Sequence, residues 1–317
     1  MVLYLTEDDV QRLLPMKEAI GAVEEAMRQQ GLGAAVNRPR QRVRVPAGTL
    51  HMMGAALPDK GVVGFKAYTG FGRKVRFLAL LYSAGDGELL AIMAAERLGQ
   101  VRTGAASGVA TKYMARQDAS VVGIIGSGYQ AQTQLAAACA VRPVREVRAY
   151  SRSPERRRAF AEQMKRELGV AVRAVGTPDE AVKGCHIVVT ATTSREPVFG
   201  GELLEPGTHM NIMGSNALIR REIDDIAVQR SGLIVVDSIE QAKIESGDLL
   251  GPVERGILHW DHCRELWQVV LGLVPGRRSD EEITLFKSHG IALWDMAAAA
   301  HVYQQAKAKG VGRKIEV

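Results

Sequence analysis

Residues 121–131 read VVGII, then Gly126-Ser127-Gly128-Tyr129-Gln130-Ala131, with a long Ala- and Gln-rich stretch following. No other segment limits the possible folds as strongly. An apolar run without alternation is a strand buried on both faces, and such strands belong to parallel sheets covered by helices on both sides. The loop behind it has GxGxxA spacing. Gly126 permits the tight turn, Gly128 lets backbone approach a pyrophosphate, and the small Ala131 lets the helix pack close on the strand. The helix start offers N–H groups and a positive dipole end to phosphates. Gly-rich turns occur in many folds; the strand before and the helix after make this one a dinucleotide-binding crossover. Gly126, Gly128, Tyr129, Gln130 and Ala131 are its candidate contacts.

Downstream the alternation continues. EVRAY (146–150), VRAV (172–175), HIVVT (186–190), HMNIM (209–213), LIVVD (233–237) and ITLF (283–286) read as strands, with helical segments opening at Ser153 and at Thr177-Pro178-Asp179. This is the pattern of a parallel α/β sheet. The end of the second strand bears on the choice of dinucleotide. An NAD site usually places an acidic residue there, against the ribose 2′-hydroxyl. Here EVRAY runs into Ser151-Arg152-Ser153, with Arg156, Arg157 and Arg158 close behind. No carboxylate stands where it would repel a 2′-phosphate, Ser151 and Arg152 can donate to one, and Ser153 is a further candidate cofactor contact. The pattern favours NADP(H) and leaves NAD(H) possible. The later arginines read partly as the solvated face of a helix.

The first 117 residues have a different texture. Thr6 ahead of Glu7, Asp8 and Asp9 is a helix start. Pro15 opens a second helix, with Ile20, Val23 and Met27 at helical spacing and Gly31 and Gly33 at its end. Residues 42–80 are strand-like, and 102–114 (RTGAASGVATKYM) form a small-residue helix. Lys66 sits inside the apolar strand GVVGFKAY, where burying its charge is costly unless the charge is used. Arg102 opens the small-residue helix, where a ligand can come close, and Arg40 lies in RPRQRVRV. Two guanidinium groups and an ammonium in one cleft would hold an α-carboxylate. Read singly, Arg40 and Arg102 fit surface charges equally well. A last helix spans 291–309.

At 317 residues the chain suits two domains, and its net charge of +6 permits nucleic acid, a membrane surface or small anions as partners. Aromatic residues are 5% of the chain, and no helix-turn-helix pattern is present, which argues against nucleic acid. No stretch approaches the roughly 18 apolar residues of a membrane span. The N-terminal MVLYLTEDDV lacks a basic leader, so a soluble, cytoplasmic protein is expected. Cys139, Cys185 and Cys263 lie far apart and fit a reducing compartment. His259-Trp260-Asp261-His262 has no third ligand nearby, so no metal is expected. Residues 276–281 read as a solvated turn, and His289 is a candidate for proton transfer at neutral pH.

Five blocks carry a resemblance: GFKAY around Lys66, LGQVRTGAASGVATKYMAR (98–116), GIIGSGYQAQ (123–132), VVDSIEQAKIESGD (235–248) and ITLFKSHGIALWD (283–295). In this order they resemble the ornithine cyclodeaminase/μ-crystallin family over essentially the whole chain. That family includes ornithine cyclodeaminases, alanine dehydrogenases and ketimine reductases. The resemblance implies an α/β protein with a Rossmann dinucleotide-binding domain, residues 118–290. It also implies a smaller α+β substrate and dimerisation domain, residues 1–117 completed by 291–317, and a homodimer. Lys66 and Arg102, with Arg40 or Arg38 as a third contact, would hold the substrate carboxylate. Thr190, Thr192 and Ser288 would lie near the nicotinamide half of the cofactor.

The departures narrow the chemistry. Cyclodeaminases carry an acidic residue in the block that here reads Met213-Gly214-Ser215-Asn216. Asn216 has no titratable proton, so it can orient a ligand but cannot act as a general base. That speaks against the ammonia-losing cyclisation of ornithine and is tolerable for reduction of a preformed imine. His51 stands where alanine dehydrogenases carry Arg, and YTGFGRKVR after Lys66 is shorter than in many relatives. Asn216 and His51 are thus candidate substrate-side residues. The expected activity is an NADP(H)-dependent oxidoreductase for the C=N or CH–NH bond of a small imino or amino acid, with Lys66 catalytic. The alternatives are an NAD-using ornithine cyclodeaminase and a non-catalytic NADPH-dependent binding protein.

Overall fold

The computed structural model describes residues 1–72, 74–214 and 216–316. They divide into two compact units, Met1–Ala106 with Gly290–Val317, and Ser107–His289.

In the first unit, β1 (Val2–Leu5) leads into α1 (Glu7–Leu13) and α2 (Met16–Gly31). Thr6 closes a capping box with Asp9 at the start of α1. Strands β2 (Val36–Asn37), β3 (Gln41–Val45), β4 (Gly48–Leu57), β5 (Val62–Phe71), β6 (Lys74–Ser83) and β7 (Leu89–Ala94) follow, and α3 (Glu96–Met114) leaves the unit. With the C-terminal strand β16 (Arg313–Ile315) at one edge, the sheet runs β16-β1-β7-β6-β5-β4-β2, with β3 also on β4. Register places Met53, Lys66 and Ala79 side by side on one face. Period-two alternation therefore sends Lys66 inward with Met53, Ala55 and Leu57.

Helix α3 begins at Glu96, a turn and a half ahead of the expected Arg102. The Glu7 carboxylate accepts from the Glu96 and Arg97 amides, both at 2.8 Å. This cap comes from a residue far away in sequence, so no local signal announced it. The expected domain boundary at 117/118 also differs, because the unit division falls within α3, at 106/107. The last two turns of α3 are bonded into the second unit. Asn211 donates to the Thr111 hydroxyl, Arg142 to the Lys112, Ala115 and Arg116 carbonyls, and Arg277 to the Met114 carbonyl. The two guanidinium groups satisfy the orphan carbonyls at the helix C-terminus and oppose its negative dipole end. Residues 276–281 are thus more than a solvated turn: Arg277 is half-buried and spans carbonyls from three segments.

The second unit contains β8 (Val121–Ile125), α4 (Tyr129–Val141), β9 (Glu146–Tyr150), α5 (Pro154–Leu168), β10 (Ala171–Ala174), β11 (Ile187–Thr190), β12 (His209–Ile212) and α6 (Asp225–Arg230). It continues through β13 (Leu233–Val236), α7 (Ile239–Glu245), α8 (Gly247–Glu254), β14 (Cys263–Glu265), α9 (Leu266–Val270) and β15 (Thr284–Lys287). Among the described residues these form an eight-stranded sheet in the order β10-β9-β8-β11-β12-β15-β13-β14. All neighbours are parallel. The order reverses between β8 and β11, so the chain is α/β with a doubly wound Rossmann unit. The segment after His259 supplies the three-residue edge strand β14, too short for periodicity to reveal.

The chain then returns to the first unit as α10 (Ala292–Lys309) and β16 (Arg313–Ile315), which pairs antiparallel with β1. Helix α10 lies across β4 and β5 and beside α2, burying Leu293, Trp294, Asp295 and Met296.

Candidate active site

Within the first unit, three cations and one carboxylate from four segments meet out of water. Arg40 precedes β3, Lys66 lies on β5, Arg102 on α3 and Asp295 on α10, and all four are buried. Asp295 Oδ1 accepts from Lys66 Nζ at 2.8 Å and from Arg102 Nε at 2.8 Å. Arg40 donates to the Gly290 carbonyl at 3.1 Å and contacts the Met53 sulfur. Gly290 has a φ of 82°, and a Cβ there would fall 2.8 Å from Arg102 Nη1, so glycine is required beside the guanidinium. The sequence favoured Arg40 and kept Arg38 as the alternative. The structure separates them, since Arg38 is exposed and Arg40 buried.

Burial pushes the Lys66 ammonium down to about 7, with Arg102 and Arg40 adding to the fall and Asp295 opposing it. Two buried polar atoms of this cluster lack a hydrogen-bond partner among the described residues: Arg102 Nη1, a donor, and Asp295 Oδ2, an acceptor. Such valences are rare in a closed interior. Beside Lys66 on the same sheet face, the Tyr68 ring centroid lies 5.8 Å from Nζ. His51 stacks on Tyr68 at 4.2 Å, with Phe77 on the other side of Tyr68 at 5.0 Å. His51 therefore belongs to an aromatic wall bordering the cluster.

Asp295 was missed by sequence reasoning, although it ends one of the recognised blocks. A lone carboxylate on a helix carries no signal, and its partners stand 229 and 193 residues away.

In the second unit, Gly126 has a φ of 120°, and a Cβ there would meet the Ala191 carbonyl oxygen at 2.4 Å. Only glycine makes this turn. Beside Gly128 a Cβ would meet nothing within 4 Å, and α4 starts there without a side-chain cap. Tyr129 is exposed, Gln130 half-buried, and Ala131 packs α4 into the core under β8. Ser127 donates to the Ser151 hydroxyl at 2.9 Å, which joins the loop to the end of β9. Arg152 is exposed. Ser153 caps α5 by accepting from the Arg156 amide, so its hydroxyl already serves the helix. Arg157 lies over the Tyr150 ring and donates to the Ser151 carbonyl.

Across the point where strand order reverses, the Thr190 and Thr192 hydroxyls donate to Glu222. Ser288 donates to Asp237, which also accepts from the His289 backbone amide and pairs with its ring. Asn216 is half-buried in the segment after β12, and its neighbour Ser215 lies outside the described residues. His259 and His262 meet edge to face at 5.6 Å, and among the described residues no three potential ligands gather around a metal position. The cysteines are free, and burial pushes each thiol up to about 11.

Residues 2–310 match the ornithine cyclodeaminase/mu-crystallin family, and the chain belongs to that family. It is 38% identical over 323 residues to the alanine dehydrogenase of Archaeoglobus fulgidus, covering 99% of this chain and 98% of that protein. Among solved structures it resembles the Thermococcus litoralis Delta(1)-pyrroline-2-carboxylate reductase in complex with NADH and L-proline. The TM-score is 0.95 at 37% identity, over 99% of this chain and 100% of the other. An archaeal alanine dehydrogenase dimer with bound NAD superposes with a TM-score of 0.92 at 37% identity, over 99% of each chain.

Replacing Asp295 with Asn removes the group that holds the Lys66 ammonium up, so the midpoint should fall below 7. The pH dependence of Lys66 labelling by an amine-reactive reagent, read by mass spectrometry, reports it. An unchanged or raised midpoint would remove Asp295 from this role.

Proposed function

We propose that this protein is an NADP(H)-dependent oxidoreductase acting on the C=N or CH–NH bond of a small imino or amino acid. The observation that carries the reading is the pair of open valences in the first unit. Arg102 Nη1 offers a hydrogen to an anion, and Asp295 Oδ2 offers lone pairs to an N–H group. An α-amino or α-imino acid presents a carboxylate and a nitrogen on adjacent atoms, the complement of both. Arg40 and Lys66 add positive charge for the carboxylate, and a buried guanidinium binds it best as a fork.

Lys66 is the proton carrier. Near pH 7 both its forms are populated, so it can give a proton to the substrate nitrogen during reduction and take one back during oxidation. Asn216 has no such proton to exchange, which disfavours cyclodeamination. His51 and Tyr68 border the substrate side chain. The second unit fits a dinucleotide: the strained turn at Gly126, the open space at Gly128 and the uncapped start of α4 suit a pyrophosphate. The dinucleotide, when bound, supplies or accepts the hydride. Ser151 and Arg152, at the end of β9 with no carboxylate, suit a 2′-phosphate, although the similar structures named above hold NADH and NAD.

The working form is a homodimer, as in the archaeal relative. The outward face of the first sheet carries exposed Val43, Val63, Phe71 and Leu78, an apolar surface suited to a second copy. No helix among the described residues is long and apolar enough to cross a membrane. The widely spaced free thiols suit a cytoplasmic setting.

Four outcomes follow from this reading. Purified protein with NADPH or NADH should lose nicotinamide absorbance with a cyclic imino acid or with a 2-oxo acid plus ammonia. Lys66→Met should lower that turnover at least about a hundredfold while still binding the dinucleotide. Dinucleotide binding without turnover of any such substrate would favour the binding-protein alternative. Ser151→Asp with Arg152→Ala should shift preference toward NAD(H), and unchanged selectivity in the ratio of kcat/KM values would reject the 2′-phosphate assignment. Leu78→Asp should yield a monomer in analytical ultracentrifugation, and a persisting dimer would place the interface elsewhere.

A further inference from the structure

Glu222 has no part in the chemistry above, yet four protein donors converge on its fully buried carboxylate. Thr192 N and Oγ1 reach Oε1, each at 2.7 Å, while Thr190 Oγ1 at 2.8 Å and Gly214 N at 2.6 Å reach Oε2. A carboxylate offers about four acceptor positions, so these donors fill it. The backbone of Glu222 is held in turn, its amide donating to Asp248 Oδ1 at 2.6 Å. Asp248 pairs with Lys287 Nζ at 2.8 Å, and both are buried.

The network thereby ties the carboxyl ends of three parallel strands. Thr190 ends β11, Gly214 follows β12, and Lys287 ends β15. A Cβ on Gly214 would fall 2.2 Å from the Thr192 carbonyl oxygen and 2.3 Å from Glu222 Oε1, so the two loops are locked at backbone contact. In open parallel sheets, ligands bind beyond these strand ends, at the point where strand order reverses. Here that point lies between β8, which carries the glycine loop, and β11, which carries the threonines. Gly126 already abuts Ala191, between Thr190 and Thr192.

We propose that Glu222 is the positioning residue for the nicotinamide half of the dinucleotide. Its acceptor positions are filled by protein, so it acts on the ligand through the Thr192 and Gly214 segments that it fixes. The glycine loop, which receives the pyrophosphate and adenosine half, hangs on β8 and does not touch the carboxylate. This inference rests on the dinucleotide assignment above.

The two halves of the ligand give a test that a general loss of stability would not reproduce. Glu222→Gln keeps the side-chain shape but turns one acceptor into an NH2 group facing two donors. Calorimetric titration of wild type and variant with NADPH and NADH, and with the nicotinamide-free fragments 2′-phospho-ADP-ribose and ADP-ribose, separates the halves. The variant should bind the dinucleotide about tenfold to hundredfold more weakly and the matching fragment unchanged. Equal weakening of both, or no weakening of either, would overturn the role of Glu222 and leave the dinucleotide assignment standing. Failure of the wild-type protein to bind either dinucleotide would overturn both. If Glu222→Gln does not fold, Glu222→Asp, which keeps the charge but draws the carboxylate back from its donors, is held to the same split, with the same outcomes decisive.

Discussion

The first unit is organised by a carboxylate that two cations share out of water. Asp295 on α10 draws Lys66 from the sheet and Arg102 from α3 onto one oxygen. Removing charged groups from water costs several kcal/mol per ion, and well-packed apolar residues often serve stability as well or better. The arrangement is therefore poor as a stabilising device and good as a receptor. With Arg40 added, positive charge exceeds negative whether or not Lys66 is protonated, and an incoming carboxylate offsets the excess in either state. The burial that makes the cluster costly also brings the Lys66 ammonium to about 7, where both protonation states are available.

Carboxylates in the two units are treated in opposite ways. Asp295 is left with an unmatched oxygen, which gives it something to offer a ligand. Glu222 is filled by four donors and can only hold its surroundings. The basic surplus of the chain divides similarly. Arg40, Lys66 and Arg102 are buried around Asp295, whereas Arg142 and Arg277 donate to main-chain carbonyls and finish α3. A charge count alone merges these two uses. Burial and hydrogen-bond partners separate them.

Much of the second unit was legible because its central strands are buried on both faces and must be apolar throughout. The loop at 126–131 was legible because Gly126 answers to sterics that only glycine satisfies and because the loop stands between an apolar strand and a helix. Lys66 stood out as a charge inside an apolar strand. What escaped were features made by distant partners. Glu7 caps α3 from another element, so the helix started earlier than its own sequence indicated. Asp295 and Glu222 look like ordinary acidic residues until the fold brings donors to them. Arg38 and Arg40 lie in the link between β2 and β3, where no strand period says which one turns inward. Ser153 has the position of a cofactor contact, and its hydroxyl caps α5. Cap and ligand site draw on the same residue types, so the sequence could not distinguish them.

The central claim is that Lys66, lowered by burial and poised by Asp295, carries the proton of the reaction. The most direct measurement is kcat/KM of the wild-type protein against pH in both directions, imine reduction and amine oxidation, which reports groups of the free enzyme. The account predicts mirror-image profiles sharing one midpoint near 7, reduction falling as oxidation rises. Profiles that stay flat in both directions between about pH 6 and 8 would contradict it.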